Sequence, residues 1–111
     1  MAYDEKLANR LRELVQGERG VTEKRMFGGL AFMINGNMAV SASSQGGLLL
    51  RIDPAETDAL VEDPNARRFE MRGRAMDGWL RIDTDGLSTD QQLQQWVARG
   101  VAYARSLPPK R

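Results

Sequence analysis

Leu7, Leu11, Leu14 and Val15 fall at i, i+4, i+7 and i+8, a single apolar stripe that predicts an amphipathic helix from about Asp4 to Gln16. Asp4 can accept from the free amides at its start, and Gly17 and Gly20 end it. From residue 24 to residue 52 the period changes to two. Leu30, Phe32 and Ile34 alternate with Ala31 and Met33, and Met38, Val40 and Ala42 alternate with Ala39 and Ser41, with Asn35-Gly36-Asn37 between the two runs. This predicts a β-hairpin. A two-residue turn would pair Met33 with Met38 and mix apolar residues over both faces. A three-residue loop pairs Ile34 with Met38, Phe32 with Val40 and Leu30 with Ala42, so that of the large apolar residues only Met33 leaves the common face, and this register is preferred. Asn37 then takes the left-handed position, which Asn tolerates.

The pattern continues through a second turn, Ser43 to Gly47, into Leu48, Leu50 and Ile52, the inward positions of another strand. Asp53-Pro54 reads as an N-cap followed by proline at the first helical position, opening a short helix lined by Ala55, Ala59, Leu60 and Val61 and stopped by Asp63-Pro64. Phe69 and Met71 alternate with Arg68, Glu70 and Arg72; Leu80 and Ile82 alternate with Trp79 and Arg81; both runs predict strands. Ser88 or Thr89, with Gln91 or Gln92 three residues on, caps the last helix, whose apolar positions are Leu93, Trp96, Val97, Gly100, Val101 and Ala104; residues 107–111 read as a frayed tail. The order is helix, four strands, helix, two strands, helix. The expected fold is therefore α+β: one two-layer domain over residues 1–111, an antiparallel sheet with helices on one face.

Composition narrows the chemistry. The 111 residues are 41% hydrophobic and 28% charged with a net charge of +1, so no global charge draws the chain onto nucleic acid or an anionic membrane. There is no cysteine and no histidine, which removes disulfides, thiol nucleophiles and the commonest general base and metal ligand. A chain of this size without disulfides fits a reducing compartment. The N-terminus shows no signal-peptide pattern, and no apolar run approaches the roughly 20 residues that span a bilayer. The expected setting is the cytoplasm, without a membrane.

The stretch Arg25-Met26-Phe27-Gly28-Gly29-Leu30-Ala31-Phe32, followed by Gly36-Asn37-Met38-Ala39, resembles the N-terminal domain of the TfoX/Sxy family, regulators associated with bacterial competence together with small stand-alone members. Leu48 to Asp53, Gly73, and Leu93, Trp96 and Val97 extend the resemblance over nearly the whole chain. It implies a bacterial cytoplasmic protein with a two-layer α+β fold and no established chemistry. Competence-type regulators carry a second, helical domain after this one, so the expectation here is a small stand-alone member.

Several clusters could carry function. Gly28-Gly29 could cradle a phosphate with backbone amides, but it leads into a strand and not a helix start, which favours a tight turn or bulge. The carboxylates Asp53, Glu56, Asp58, Glu62 and Asp63 could bind a hard cation, but they read as a cap and a solvated face. No cofactor fingerprint and no metal-ligand set emerges, and the serines lack a base to activate them. Arg67, Arg68, Arg72, Arg74 and Arg81 cluster within fifteen residues. If Phe69, Met71, Leu80 and Ile82 point into the core, then Arg68, Arg72, Trp79 and Arg81 share the opposite face. Three readings of that face stay open: a protein interface, where Trp and Arg are enriched; a single-strand nucleic-acid surface; and a solvated face with arginine stems over Trp79. The expected site centres on Trp79, Arg72 and Arg81, with Arg68 and Arg74 at its rim and Arg25, Phe27, Gly28 and Gly29 bordering it. The expected function is a binding or regulatory module acting on a protein partner or a second copy of itself. A nucleic-acid-associated regulator is the alternative, and a small enzyme comes third.

Overall fold

Helices end where their caps stand, and strands turn where glycine permits. A computed structural model describes residues 3–26, 28–44, 46–71 and 73–109. Helix α1 (Glu5–Val15) starts at Asp4, whose carboxylate accepts from the Lys6 and Leu7 amides at 2.9 and 3.2 Å. Four strands follow: β1 (Val21–Met26), β2 (Gly29–Ile34), β3 (Asn37–Ala42) and β4 (Leu48–Arg51). Asp53 caps a 3-10 turn (Pro54–Glu56) that runs into the short helix α2 (Thr57–Leu60). Strands β5 (Ala66–Met71) and β6 (Arg74–Ile82) form the last hairpin, and α3 (Asp90–Ser106) closes the fold. The α3 cap resolves to Thr89 and Gln92, which satisfy each other's backbone amides at 3.1 Å in both directions.

The strands make one six-stranded sheet in the order β1-β2-β3-β4-β6-β5, antiparallel throughout. All three helices lie on one face, as the apolar periodicity predicts. Leu7, Leu11 and Val15 from α1, Leu93, Trp96 and Val97 from α3, and Leu60 and Val61 at α2 pack onto Phe32, Val40, Leu50, Leu80 and Ile82. Helix α3 comes closest to the sheet at Gly100, where a Cβ would stand 2.6 Å from the Ala39 carbonyl and 2.9 Å from Val40 Cγ1. The tail is partly anchored: the Asn37 amide donates to the Pro108 carbonyl at 2.9 Å. Among the described residues no helix is long and apolar enough to cross a membrane.

The first hairpin corrects the sequence reading. Asn35 and Gly36 take φ of 51° and 84°, a two-residue turn, and Met33 pairs with Met38. Phe32 still pairs with Val40 and Leu30 with Ala42, because a bulge beside Met33 absorbs the extra residue, Ala39. Ile34 and Met38 are both buried, but on opposite faces of the sheet, and Asn37 is ordinary strand. A single register along the hairpin cannot give both the preferred two-residue turn and an apolar inner face; the bulge supplies both.

A second bulge lies in β6. Arg68 pairs with Leu80 but Phe69 pairs with Met76, so residues 77–79 of β6 bow out of register. The bow is held by buried Thr57, whose hydroxyl accepts from the Gly78 amide at 2.8 Å and donates to the Pro54 carbonyl. Strand β5 itself alternates without a break from buried Ala66, so Arg68, opposite Leu80, turns toward the helices and Phe69 lies on the helix-free face, not in the helix-covered core. Of the second turn, Gln45 lies outside the described residues; Ser43 and Gly47 exchange a backbone hydrogen bond of 3.1 Å across it.

Candidate functional site: the helix-free face of the sheet

Residues directly opposite in an antiparallel pair share a face, so the register lays out the uncovered side row by row. One row crosses all six strands: Lys24, Ala31, Ser41, Leu49, Arg81 and Arg67. Beside it Met33 stands opposite Met38, Arg51 opposite Trp79, and Phe69 opposite Met76. Ala31, Met38 and Leu49 are buried there, and half-buried Met26, Met33, Phe69 and Trp79 pack around them. This second apolar cluster is built from strand residues alone. Thioethers and aromatic rings cover one another without help from a helix.

The charged groups on this face have partners of their own. Arg51 places its guanidinium 5.3 Å from the Trp79 ring centre and 5.7 Å from that of Tyr103 on α3, so it bridges the sheet face and the end of the last helix. Arg81 donates to the Ser43 hydroxyl at 3.4 Å. Arg67, opposite Arg81, reaches Asp83 at 2.6 Å, and this hydrogen bond followed by the charge attraction raises the arginine's pKa above its ordinary value. Lys24, Arg51 and Arg74 make no ion pair among the described residues.

The structure brings only part of the expected site together. Trp79 and Arg81 share the helix-free face, as alternation in β6 predicts. Arg74, two residues before Met76, lies on the same side near the hairpin tip. Arg68 does not join them. It binds Asp77 at 2.8 Å and also Asp58 of α2, and the Asp77 hydrogen bond is the chief reason its pKa is raised. Arg25 stands opposite Leu30 and so belongs to the helix-bearing side. Phe27 and Arg72 lie outside the described residues.

Gly28 and Gly29 form the tight turn between β1 and β2. Gly28 has φ of 77°, and a Cβ on Gly29 would meet the Ala42 carbonyl at 2.2 Å. Positive φ accounts for Gly28, and close backbone approach for Gly29. The carboxylates near α2 likewise have local roles: Asp53 caps the Ala55 amide, Asp63 accepts from the Asn65 amide, and Asp58 holds Arg68.

Sequence reading missed Leu49, Arg51, Ala31 and Lys24. The signal was present, because placing Leu48, Leu50 and Ile52 inward puts Leu49 and Arg51 outward by the same alternation. A separate cleft of about 300 Å³ opens between α2 and α3, with Asp63, Gln95 and Arg99 around the edge of Trp96. Among the described residues neither serine nor lysine lines it.

A profile of the TfoX N-terminal domain matches residues 13–104, which takes in all six strands, the end of α1 and most of α3. No curated protein and no solved structure matches the chain. The profile covers well over half of the chain, including the whole sheet and the turn at Gly28-Gly29, and on that basis the chain belongs to the TfoX N-terminal domain family.

Proposed function

We propose that this protein is a cytoplasmic docking module that binds another protein through the helix-free face of its sheet. Family membership supports a small binding or regulatory module in general terms. The observation that carries the finer reading is the second apolar cluster. Leu49, Met38 and Ala31 are buried under Met33, Phe69 and Trp79, which remain half in solvent with no helix above them. Sheet faces of soluble domains are usually either polar or covered, and an apolar patch with a polar margin is the common mark of an interface. Trp, Phe, Met and Arg are also the residue types enriched at such surfaces.

The test places a photo-crosslinking amino acid at Met33 and, as control, at Gln91 on the exposed side of α3, in the native cell. Docking at this face predicts adducts from position 33 that are absent from position 91. Protease-sensitive adducts of new mass mark a foreign protein, adducts at twice the chain mass mark a second copy, and nuclease-sensitive adducts mark the nucleic-acid alternative. Equal labelling at both positions overturns the reading.

A further inference from the structure

We infer that the occupant of the helix-free face is an acidic amphipathic segment of another protein, laid with its apolar side on the methionine–aromatic floor and its carboxylates toward the cationic margins. This rests on the docking reading above and adds the chemistry of the partner.

The first support is the sign of the charges. The charged strand positions assigned to this face are Lys24, Arg51, Arg67, Arg74 and Arg81, all cations. The carboxylates of the same strands fall elsewhere. Glu23 stands opposite Phe32 on the helix side and binds Arg12, Glu70 stands opposite Ala75 out of step with Phe69, and Asp77 binds Arg68. Asp83, just past the end of β6, neutralises Arg67 but leaves Lys24, Arg51 and Arg74 without an ion pair among the described residues. A chain of net charge +1 thus presents one face whose charged strand positions are all positive. A carboxylate-bearing partner meets complementary potential there, and a basic one meets repulsion.

The floor is the second support. Flexible thioethers at Met26, Met33 and Met38 beside Phe69 and Trp79 can reshape around apolar anchors spaced along a helix.

Two competing occupants fit less well. A second copy in a two-fold arrangement would set the same cations against one another. A single-stranded nucleic acid would meet the charge, but it needs an aromatic platform. The Trp79 ring already carries Arg51 at 5.3 Å, so a base stacking on that side must first displace it.

The experiment uses the full chain and three fluorescent peptides of about 18 residues, roughly five helical turns, with identical Leu and Phe spacing and Glu, Gln or Lys at the polar positions. Anisotropy titrations run at about 0.1 M and about 1 M salt, where the screening length falls from ~10 to ~3 Å. A dT oligonucleotide of the same length and sedimentation of the chain alone complete the set. The Glu peptide is expected to bind at least about tenfold tighter than the Gln peptide at low salt, to lose most of that advantage at high salt, and the Lys peptide to bind weakest. In the Lys24→Glu/Arg74→Glu double variant, which leaves Arg51 and Arg81 balanced by the two new carboxylates, the advantage of the Glu peptide should disappear, with an unchanged melt, because both residues are exposed. Equal affinity for the Glu and Gln peptides overturns the inference while crosslinking at Met33 would keep the docking reading alive. Tighter binding of the oligonucleotide overturns it in favour of nucleic acid, and a dimer that the peptides dissociate overturns it in favour of a second copy. Absence of peptide binding alongside persistent Met33 protein adducts also overturns it, leaving a partner of other chemistry.

Discussion

Trp79 and Trp96 lie on opposite faces of one sheet and separate the two apolar clusters at the level of single residues. Trp96 is 7% exposed and packs in the helix-covered core, whereas Trp79 is half-buried on the helix-free side and roofed by Arg51. Trp96→Ala is expected to cost about 3–5 kcal/mol and Trp79→Ala about 1–2 kcal/mol, read from urea unfolding. Equal losses would mean that Trp79 is part of the main core. Gly100 gives the opposite kind of test. Alanine there gains about 1 kcal/mol of helix propensity, but its methyl would lie 2.6 Å from the Ala39 carbonyl. Gly100→Ala should therefore destabilise by about 1–3 kcal/mol, and a raised melting temperature would show that α3 can move away from β3 without penalty.

Among the elements, helices were legible in the sequence and strand registers only in part: Phe32 opposite Val40 and Leu30 opposite Ala42 hold, whereas Ile34 opposite Met38 does not. Asp4, Asp53 and Thr89 cap where the local pattern places them, since a cap acts within three residues of itself. Register depends on longer range. The bulge beside Met33 and the bow at residues 77–79 each swap faces for the residues beyond them, and the second is fixed by Thr57, some twenty positions away in sequence. Alternation from Leu80 and Ile82 places Trp79 and Arg81 correctly but would turn Met76 and Arg74 inward. Phe69 and Arg68 come out inverted because the large apolar residue is not the inward one: β5 alternates from the small buried Ala66. Cross-strand proximity of Met33 and Met38 Hα atoms in nuclear Overhauser spectra checks the turn, and Gly36→Val, forced into positive φ, should cost roughly 1–2 kcal/mol. The tie between α1 and β1 is electrostatic: hydrogen bonding to Arg12 holds the Glu23 carboxyl below its ordinary value. A carboxyl with a depressed folded pKa contributes fully above the ordinary carboxylate range and loses that contribution as pH falls through the depressed value. Between about pH 5 and about pH 3, the urea midpoint should fall less steeply in Glu23→Gln than in the parent chain.

Across the whole molecule, near-neutrality conceals a partition. The arginine cluster was visible in the sequence as a run, but its separation into Arg67, Arg74 and Arg81 on one side and Arg68 on the other appears only when the sheet is assembled. Helices on one side supply the stable core, and the other side is left with a soft, positively margined surface. Substitutions on the two sides should therefore separate by phenotype: Leu11→Ala, fully buried under α1, lowers stability by about 2–5 kcal/mol, whereas Lys24→Glu alters binding and leaves the unfolding midpoint unmoved.

The methionines of the uncovered face have a chemical consequence. A chain without cysteine has thioethers as its most oxidisable sulfurs, and Met26 and Met33 stand half-open on this surface while Met38 is only 3% exposed beneath its neighbours. Peroxide should convert Met33 to its sulfoxide well before Met38, turning an adaptable apolar contact into a polar, chiral one. Peptide mass mapping over a time course gives the order. If a bound segment lies over the floor it will slow the reaction at Met33, so that the rate of oxygen uptake at one sulfur records whether the face is occupied.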